Sequence, residues 1–504
     1  MICVSLGRTR HKMVIAEHQQ LAAKGAQLVE LRVDWLSHLP DVGRLLANRP
    51  TPVVVTCRRA RDKGLWKWTE EQRLAALRTA IVGGAEYVDL EMDIAASIRR
   101  FGPTKRIVSH HDFDKTPDDL EEIHKRMAAL DPDVIKIVTM ANSPLDNIRL
   151  LKLAAGAKVP TIAFCMGEFG VPSRILAGRY GAPFTYATFS SERTMAPGQL
   201  SFEDMRDIYH YDQINAATEI FGVVADPVAH SMSPLIHNAA FARERMNRVY
   251  LPFRVPREML PEALRAFDWL PVKGYSVTLP HKESVLSVTN RYNGPILDLG
   301  AANTLYKEAD GGWTAANTDY DAALQSLVRE LNPEPAPGAD RALSALAGRK
   351  VLILGAGGVA RAIGRAIVNH GGVLMISNRT KARAVELARQ LGCQQIDWQN
   401  RGTTVFADVL INCTSVGMHP KVDETPYAEN WLREGMVVFD TIYNPERTLL
   451  IKQARERECR TITGVEMFVR QAARQFELFT GASAPVDTMS DVLRRAISPA
   501  RSAE

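Results

Sequence analysis

A chain of 504 residues is too long for one hydrophobic core and points to about three domains. The net charge of +5 is mild and dispersed, with no basic block of the kind that marks nucleic-acid binding, and no apolar run reaches membrane-spanning length. The six cysteines form no CxxC pair or Cys/His cluster with metal spacing, so no metal is expected and free thiols in a reducing cytoplasm are. A strand-like run at 2–6 follows Met1 directly and leaves no room for a signal or transit peptide, which again reads as cytoplasmic. Small-molecule substrates, with neither nucleic acid nor membrane, are the expected partners, and composition says nothing of oligomeric state.

Short β-type runs recur at 2–6, 28–34, 52–58, 87–92, 106–113, 134–140, 161–166 and 184–189. Helical patterns lie between them, at 14–24, 70–82, 117–130 and 144–155. Eight strands alternating with helices is the count of a (β/α)8 barrel, although a doubly wound open sheet has the same local pattern. In a barrel the reactive side chains point inward from the C-terminal strand ends. The second run places Glu30, Arg32 and Asp34 on one face by period two, and the fourth does so with Asp89 and Glu91. The third ends in Arg58, the fifth in His110-His111-Asp112, and the sixth holds one lysine, Lys136, among apolar residues.

Internal ion pairs can fill a barrel, and a strand lysine can snorkel to solvent, so one such residue alone would carry no function. Carboxylates, two arginines, a histidine and a lysine converging on one interior do carry one. A lysine of ordinary pKa is neutral in about one molecule in 2,500 at pH 7, and burial beside Arg32 or Arg58 would favour the neutral amine. A neutral amine attacks a ketone to give an iminium, an electron sink for an adjacent carbanion. A neighbouring histidine can remove the α-proton and later protonate a leaving hydroxyl, while the arginines hold a substrate carboxylate. These residue types point to Schiff-base dehydration of a β-hydroxy keto acid.

Glu30-Leu-Arg32, Ser109-His-His111-Asp-Phe, Lys136, Gly170-Val-Pro-Ser-Arg174 and Ala196-Pro-Gly-Gln199 together resemble the motif set of type I 3-dehydroquinate dehydratases. The resemblance implies a TIM barrel over residues 1–212, with Lys136 as the Schiff-base lysine and His111 as the general acid/base. It further implies that Glu30, Arg32, Arg58, Arg174 and Gln199 bind substrate and that Asp89 and Glu91 orient His111. Two positions depart from the family pattern. Asp62 stands where a glutamate is usual, and Met195 stands where a serine usually precedes Ala-Pro-Gly-Gln. Dehydratase activity with altered efficiency is therefore expected.

The polar, helix-prone segment 201–219 reads as a connector, and a new strand is predicted at 220–224. In Asp226-Pro-Val-Ala-His-Ser231-Met-Ser233-Pro the serines would ordinarily be a helix N-cap. Gly274-Tyr-Ser-Val-Thr278-Leu-Pro-His-Lys282, Gly300-Ala-Ala-Asn303 and Ala316-Asn317-Thr-Asp319 add a hydroxyl, a lysine, an amide and a carboxylate. Together these could grip a polyhydroxylated acid and transfer a proton. A proline-rich linker is predicted at 331–340.

Beyond it, Val351-Leu-Ile-Leu-Gly355-Ala356-Gly357-Gly358-Val359-Ala360 reads as strand, glycine turn and helix N-terminus, a site for a pyrophosphate. An NAD site usually has an acid at the end of the second strand. Here that end is Ser377-Asn378-Arg379-Thr380, with no acid, and Arg379 can pair with a 2′-phosphate, so NADPH is expected over NADH.

With Asn412-Cys-Thr414-Ser-Val-Gly417, Asp440-Thr-Ile-Tyr443 and Gly464-Val-Glu-Met467-Phe-Val-Arg-Gln471, these stretches resemble the shikimate dehydrogenase family. The resemblance implies a substrate-binding domain over 219–330 with C-terminal helices at about 465–500, and a Rossmann NADP-binding domain over 345–464. It makes Lys282 and Asp319 the catalytic pair, and places Ser231, Ser233, Thr278, Asn303, Tyr443 and Gln471 on shikimate. Gly355 to Ala360, Asn378, Arg379, Thr380, Thr414, Gly464 and Met467 would hold the cofactor. Ser276 stands where many bacterial members carry asparagine, and Asp226, an acid near an anionic ligand, is expected to face solvent. The order of the two halves resembles the fused plant enzymes of the shikimate pathway. It implies successive dehydration and NADPH-dependent reduction; NAD-linked quinate or shikimate catabolism and a ligand-sensing regulator are the alternatives.

Overall fold

The computed structural model describes residues 1–331, 345–403 and 406–498. The predicted linker, apart from Leu331, lies outside these. By contacts the chain forms two compact units, Met1–Pro234 with Asn247–Val272, and Leu235–Met246 with Lys273–Glu504.

Eight parallel strands build the first unit's barrel: β1 (Ile2–Leu6), β2 (Leu28–Arg32), β3 (Val53–Thr56), β4 (Tyr87–Glu91), β5 (Lys105–Asp112), β6 (Val134–Met140), β7 (Thr161–Met166) and β8 (Thr185–Thr188). Their order is β7-β6-β5-β4-β3-β2-β1-β8, so the ladder closes all round except between β7 and β8. The barrel predicted from the strand count is therefore the fold, and the open sheet is not. Strands this apolar on both faces fit a sheet whose outer surface is covered by helices, such as Glu70–Val82 behind β3 and β4. Register then sets the interior: Ser5 pairs with Glu30, Arg32 with Thr56, Thr56 with Asp89, Glu91 with Ser109, and Ser109 with Lys136. The predicted helical connector at 201–219 forms only short turns, Asp204–Ile208 and Tyr211–Gln213, because Met205, Tyr209 and Tyr211 are drawn into the core.

The first unit also holds the parallel pair β9 (Glu219–Ala225) and β10 (Arg248–Arg254). In the second unit, apart from Val272, β13 (Thr304–Lys307) pairs antiparallel with both β11 (Val272–Val277) and β14 (Trp313–Ala316), and β12 (Arg291–Asn293) joins β14 in parallel. A six-stranded parallel sheet follows: β15 (Lys350–Leu354), β16 (Val373–Ser377), β17 (Gln394–Gln395), β18 (Val409–Asn412), β19 (Val437–Asp440) and β20 (Arg460–Ile462). Its order, β17-β16-β15-β18-β19-β20, is the doubly wound Rossmann order, with the chain reversing direction beside β15. Apolar clusters cover both faces, Val351, Ile353 and Ile363 on one and Leu352, Leu354 and Leu410 on the other.

Candidate active sites

A pocket opens at the C-terminal ends of the barrel strands, lined by Glu30, Arg32, Arg58, His111, Lys136, Arg174 and Gln199, and also by Asp62 and Met195. The structure thus brings together every substrate-facing residue predicted for the first half. Lys136 is 5% exposed. Its Nζ donates to Asp89 Oδ2 at 3.1 Å, stands 3.8 Å from Glu30 Oε1, and lies 3.8 Å from the centre of the Tyr186 ring. The other Asp89 oxygen accepts from Arg58 Nη2 at 2.9 Å and Ser109 Oγ at 2.6 Å. Glu30 is held by the hydroxyls of Ser5 (2.6 Å) and Thr56 (2.8 Å).

Two expectations change. The amine of Lys136 meets carboxylates directly, and Arg58 reaches it only across Asp89. Asp89 and Glu91 do not hydrogen-bond His111 among the described residues. Instead Glu91 pairs with Arg73 at 2.9 Å and Arg58 at 3.2 Å, so both carboxylates serve cations. The physical reason is charge: three buried guanidinium and ammonium groups need compensating carboxylates more than a neutral imidazole does. Burial works to raise the Asp89 carboxyl, but Arg58, Lys136 and His111 outweigh it and hold it well below the usual carboxylate range. Burial, reinforced by Arg58 and Lys136, pushes His111 well below the ordinary imidazole value, and its ring stacks on Phe113. His111 therefore stands neutral at pH 7.

Arg174 is different from the other buried cations of the pocket. It is 2% exposed and stacks on Phe164 at 4.3 Å; among the described residues it donates only to the Tyr186 carbonyl, has no carboxylate beside it and leaves its Nε unpartnered. Burial drops it to about 10. A buried guanidinium without a counter-ion is suited to an anionic ligand. Ser5, Arg73 and Tyr186 were not foreseen. Ser5 carries a signal, a polar residue on the inward face of an apolar strand. Arg73 sits among helix positions with nothing in the local pattern to mark it as buried.

In the second unit Lys282 Nζ donates to Asp319 Oδ2 at 2.6 Å. Asp319 is the second residue of the helix Thr318–Leu331. Asn303 anchors that helix: its Oδ1 accepts from Thr318 N–H at 2.7 Å and its Nδ2 donates to Thr318 Oγ1 at 3.0 Å. Asn317 adds a turn-type bond, accepting from Tyr320 N–H at 3.2 Å. Ser276 donates to Gln475 at 2.6 Å, and Gln475 in turn donates to the Asn303 carbonyl and Thr304 Oγ1. Tyr443 packs on Phe468 with ring centres 4.6 Å apart, and Gln471 donates to the Phe468 carbonyl at 3.0 Å. Thr278, half-buried, precedes Lys282 by one turn and accepts from His281 N–H through its carbonyl. Ser231 and Ser233 belong to the first unit, where Ser231 Oγ accepts from Ser233 N–H at 3.3 Å, just as the helix Ser233–Arg243 begins. Asp226 does not face solvent alone: it accepts from Arg254 Nε at 2.8 Å.

The glycine turn has the shape a pyrophosphate needs. Gly355 has φ +114°, and a Cβ there would stand 2.8 Å from the Cys413 carbonyl oxygen. Nothing lies within 4 Å of a Cβ on Gly357, the residue that opens the helix Gly358–Asn369, so the helix N-terminus is open. A Cβ on Gly358 would stand 3.7 Å from Lys282 Cδ, which places the lysine beside the turn. Arg379 is exposed and paired with no carboxylate among the described residues, while Asn378 donates to the Thr380 carbonyl. Thr414 bonds Asn412 Oδ1, and Asn412 donates to Asp440, whose carboxyl burial pushes up to about 6. Gly464 is required because a Cβ would meet the Ile442 carbonyl oxygen at 2.2 Å; Met467, one turn on, is buried.

Comparison with known proteins bears on both halves. The type I 3-dehydroquinase family model matches residues 2–216, that of the shikimate dehydrogenase substrate binding domain 223–305, that of shikimate/quinate 5-dehydrogenase 338–440, and that of the shikimate 5′-dehydrogenase C-terminal domain 464–494. The bifunctional 3-dehydroquinate dehydratase/shikimate dehydrogenase of Arabidopsis thaliana is 34% identical over 510 residues, covering 98% of this chain and 84% of its own. The chain belongs to the bifunctional 3-dehydroquinate dehydratase/shikimate dehydrogenase family. Its second half is also similar to the shikimate dehydrogenase (NADP(+)) of Moorella thermoacetica, 39% identical over 56% of this chain and 96% of that one. Among solved structures, a shikimate dehydrogenase in complex with NADP+ matches with TM-score 0.51 and 32% identity, covering 56% of this chain and 98% of its own. The shikimate dehydrogenase of Aquifex aeolicus matches with TM-score 0.50 and 32% identity over 56% of this chain and 99% of its own. The dehydratase–dehydrogenase family thus spans both the Lys136 pocket and the glycine turn, and no helix among the described residues is long and apolar enough to cross a membrane.

Proposed function

We propose that the barrel dehydrates 3-dehydroquinate to 3-dehydroshikimate and that the second half reduces this with NADPH to shikimate, two successive steps of the shikimate pathway. The observation that carries the reading is Lys136, buried in a pocket that also holds a neutral His111 and the uncompensated Arg174. Arg174 takes the substrate carboxylate. Asp89 and Glu30 hold Lys136; as its nitrogen bonds the ketone carbon, two of its protons end on the ketone oxygen, which leaves as water when the iminium forms. His111 removes the α-proton, the electron pair moves into the iminium, and the β-hydroxyl departs with a proton returned by His111. Water then hydrolyses the imine and frees Lys136. Arg32, Arg58, Glu30 and Gln199 hold the remaining substrate oxygens, and Asp89 and Glu91 set the surroundings of His111, Asp89 by its own charge and both by holding the cations around it.

When bound, NADPH supplies the hydride for the second step. The residues around the turn would hold it: Gly355 to Ala360 the pyrophosphate, Asn378, Arg379 and Thr380 the 2′-phosphate end, and Thr414, Gly464 and Met467 the remainder. Lys282 donates a proton to the oxygen on which negative charge develops, and Asp319, hydrogen-bonded to Lys282 Nζ at 2.6 Å, fixes where that donor points. Ser231, Ser233, Thr278, Tyr443 and Gln471 bind the substrate; Asn303 also fixes the helix that carries Asp319. We assign residues 1–212 to the dehydratase domain, 219–330 with about 465–500 to the substrate domain, and 345–464 to the Rossmann domain. Six unpaired cysteines support a reducing compartment, which we read as the cytoplasm.

Borohydride treatment in the presence of 3-dehydroquinate tests the first half. Peptide mass spectrometry should find the reduced adduct on Lys136, and an adduct absent or on another lysine would refute the assignment.

A further inference from the structure

Glu168 opens the turn Glu168–Gly170 that follows β7 of the barrel. Its Oε1 accepts from the backbone N–H groups of Val228 at 3.3 Å and Ala229 at 3.2 Å. Its Oε2 accepts from Arg254 Nη1 at 2.9 Å, and Arg254 Nε donates to Asp226 Oδ1 at 2.8 Å. Arg254 ends β10 opposite Ala225 of β9, so the strand pair fixes its base, and its guanidinium lies 4.7 Å from the centre of the Phe169 ring. From Val228 the chain of bonds continues: its carbonyl accepts from Ser231 N–H at 3.0 Å, and Ser231 Oγ accepts from Ser233 N–H.

The other side of Glu168 reaches the dehydratase pocket. Gly167 N–H donates to the Pro197 carbonyl at 3.0 Å, and a Cβ on Gly198 would stand 2.2 Å from the Gly167 carbonyl oxygen. One residue apart, the same turn therefore touches the loop that carries Gln199 and the loop that carries Ser231. Glu168, Arg254 and Asp226 are each 27–32% exposed, so their ion pairs add little to global stability. A carboxylate that accepts two consecutive backbone N–H groups instead fixes where that backbone runs.

We propose that Glu168, acting through the Val228 and Ala229 amides and through Arg254, is a positioning residue that sets the Asp226–Ser233 loop from the barrel's β7 turn. The dehydrogenase's affinity for shikimate then depends on a side chain contributed by the dehydratase. This rests on the reading that Ser231 and Ser233 bind shikimate. It also gives Asp226, an acid at an anion-binding loop, a purpose: it shares Arg254 with Glu168 and so ties the start of the loop to the strand pair.

The test uses the full-length protein and its Glu168→Ala and Glu168→Gln variants, with two readouts. Amide hydrogen exchange over residues 226–233 reads the loop directly, and steady-state shikimate oxidation with NADP+ reads its use. Glu168→Ala should speed exchange in that segment at least tenfold and raise KM for shikimate about 3- to 10-fold, with kcat within about twofold. Glu168→Gln, which keeps an acceptor for the amides and loses the charge facing Arg254, should fall between Ala and wild type; if the Ala variant does not fold, a rise in both quantities in Gln decides. Unchanged exchange overturns the proposal, as does faster exchange with unchanged KM. A wild-type protein that does not oxidise shikimate would sink the functional reading, whereas the exchange result would still judge the tie by itself.

Discussion

Asp89 shares its carboxylate between two buried cations, one oxygen 3.1 Å from Lys136 Nζ and the other 2.9 Å from Arg58 Nη2. All three groups are 6% exposed or less, so water cannot stand in for a missing partner. Replacing Asp89 with Asn leaves two buried positive charges without their shared counter-ion. Loss of one partner of a buried pair costs about 3–5 kcal/mol. Urea unfolding of the barrel should show a loss of this order, together with a fall in dehydratase kcat; a loss under about 1 kcal/mol would mean that Glu30 and Glu91 suffice without it.

The depressed His111 sets the acid side of the dehydratase pH profile. A histidine lowered by burial and by neighbouring cations is neutral above its own pKa and becomes protonated only below it. A general base must be neutral, so kcat/KM should stay flat as pH falls to 6.5 and drop only well below that. An acid limb centred at or above 6.5 would show His111 to be ordinary, or another group to be the base.

Arg174 separates binding from stability. Its burial with no carboxylate beside it among the described residues disfavours the charged fold, so Arg174→Met, which keeps the stem and removes the charge, should leave the thermal midpoint unchanged or raise it. The same variant should raise KM for 3-dehydroquinate about 10- to 150-fold, the worth of a charge-assisted bond to a carboxylate. A lowered midpoint with unaltered KM would assign Arg174 to packing on Phe164.

The strand count and the inward faces of those strands made the barrel and its Lys136 pocket legible, because period two and a lone lysine in an apolar strand are local signals. The Rossmann unit was legible for the same reason, through the apolar run before Gly355. What the sequence hid were relationships between distant residues. Nothing near Asp89 says that it serves Arg58 and Lys136 in preference to His111, nor does anything near Asp226 point to Arg254, 28 residues on. Arg73 was invisible because an arginine in a helix is ordinarily at the surface.

Arg379 should govern the choice of nicotinamide cofactor. Exposed and without a carboxylate partner among the described residues, it is placed to meet a 2′-phosphate. Arg379→Ala should raise KM for NADPH about 10- to 100-fold and change KM for NADH by less than about twofold. Equal losses with the two cofactors would place its contact on adenine.

The central claim is that one chain runs both reactions in sequence, through Lys136 and then through Lys282. A coupled assay with 3-dehydroquinate and NADPH, following nicotinamide oxidation and product together, tests it most directly. Wild type should oxidise NADPH and release shikimate; Lys136→Ala should form neither product; Lys282→Ala should release 3-dehydroshikimate with little NADPH oxidised. Shikimate formed by either variant at the wild-type rate, or no 3-dehydroshikimate from Lys282→Ala, would contradict the account.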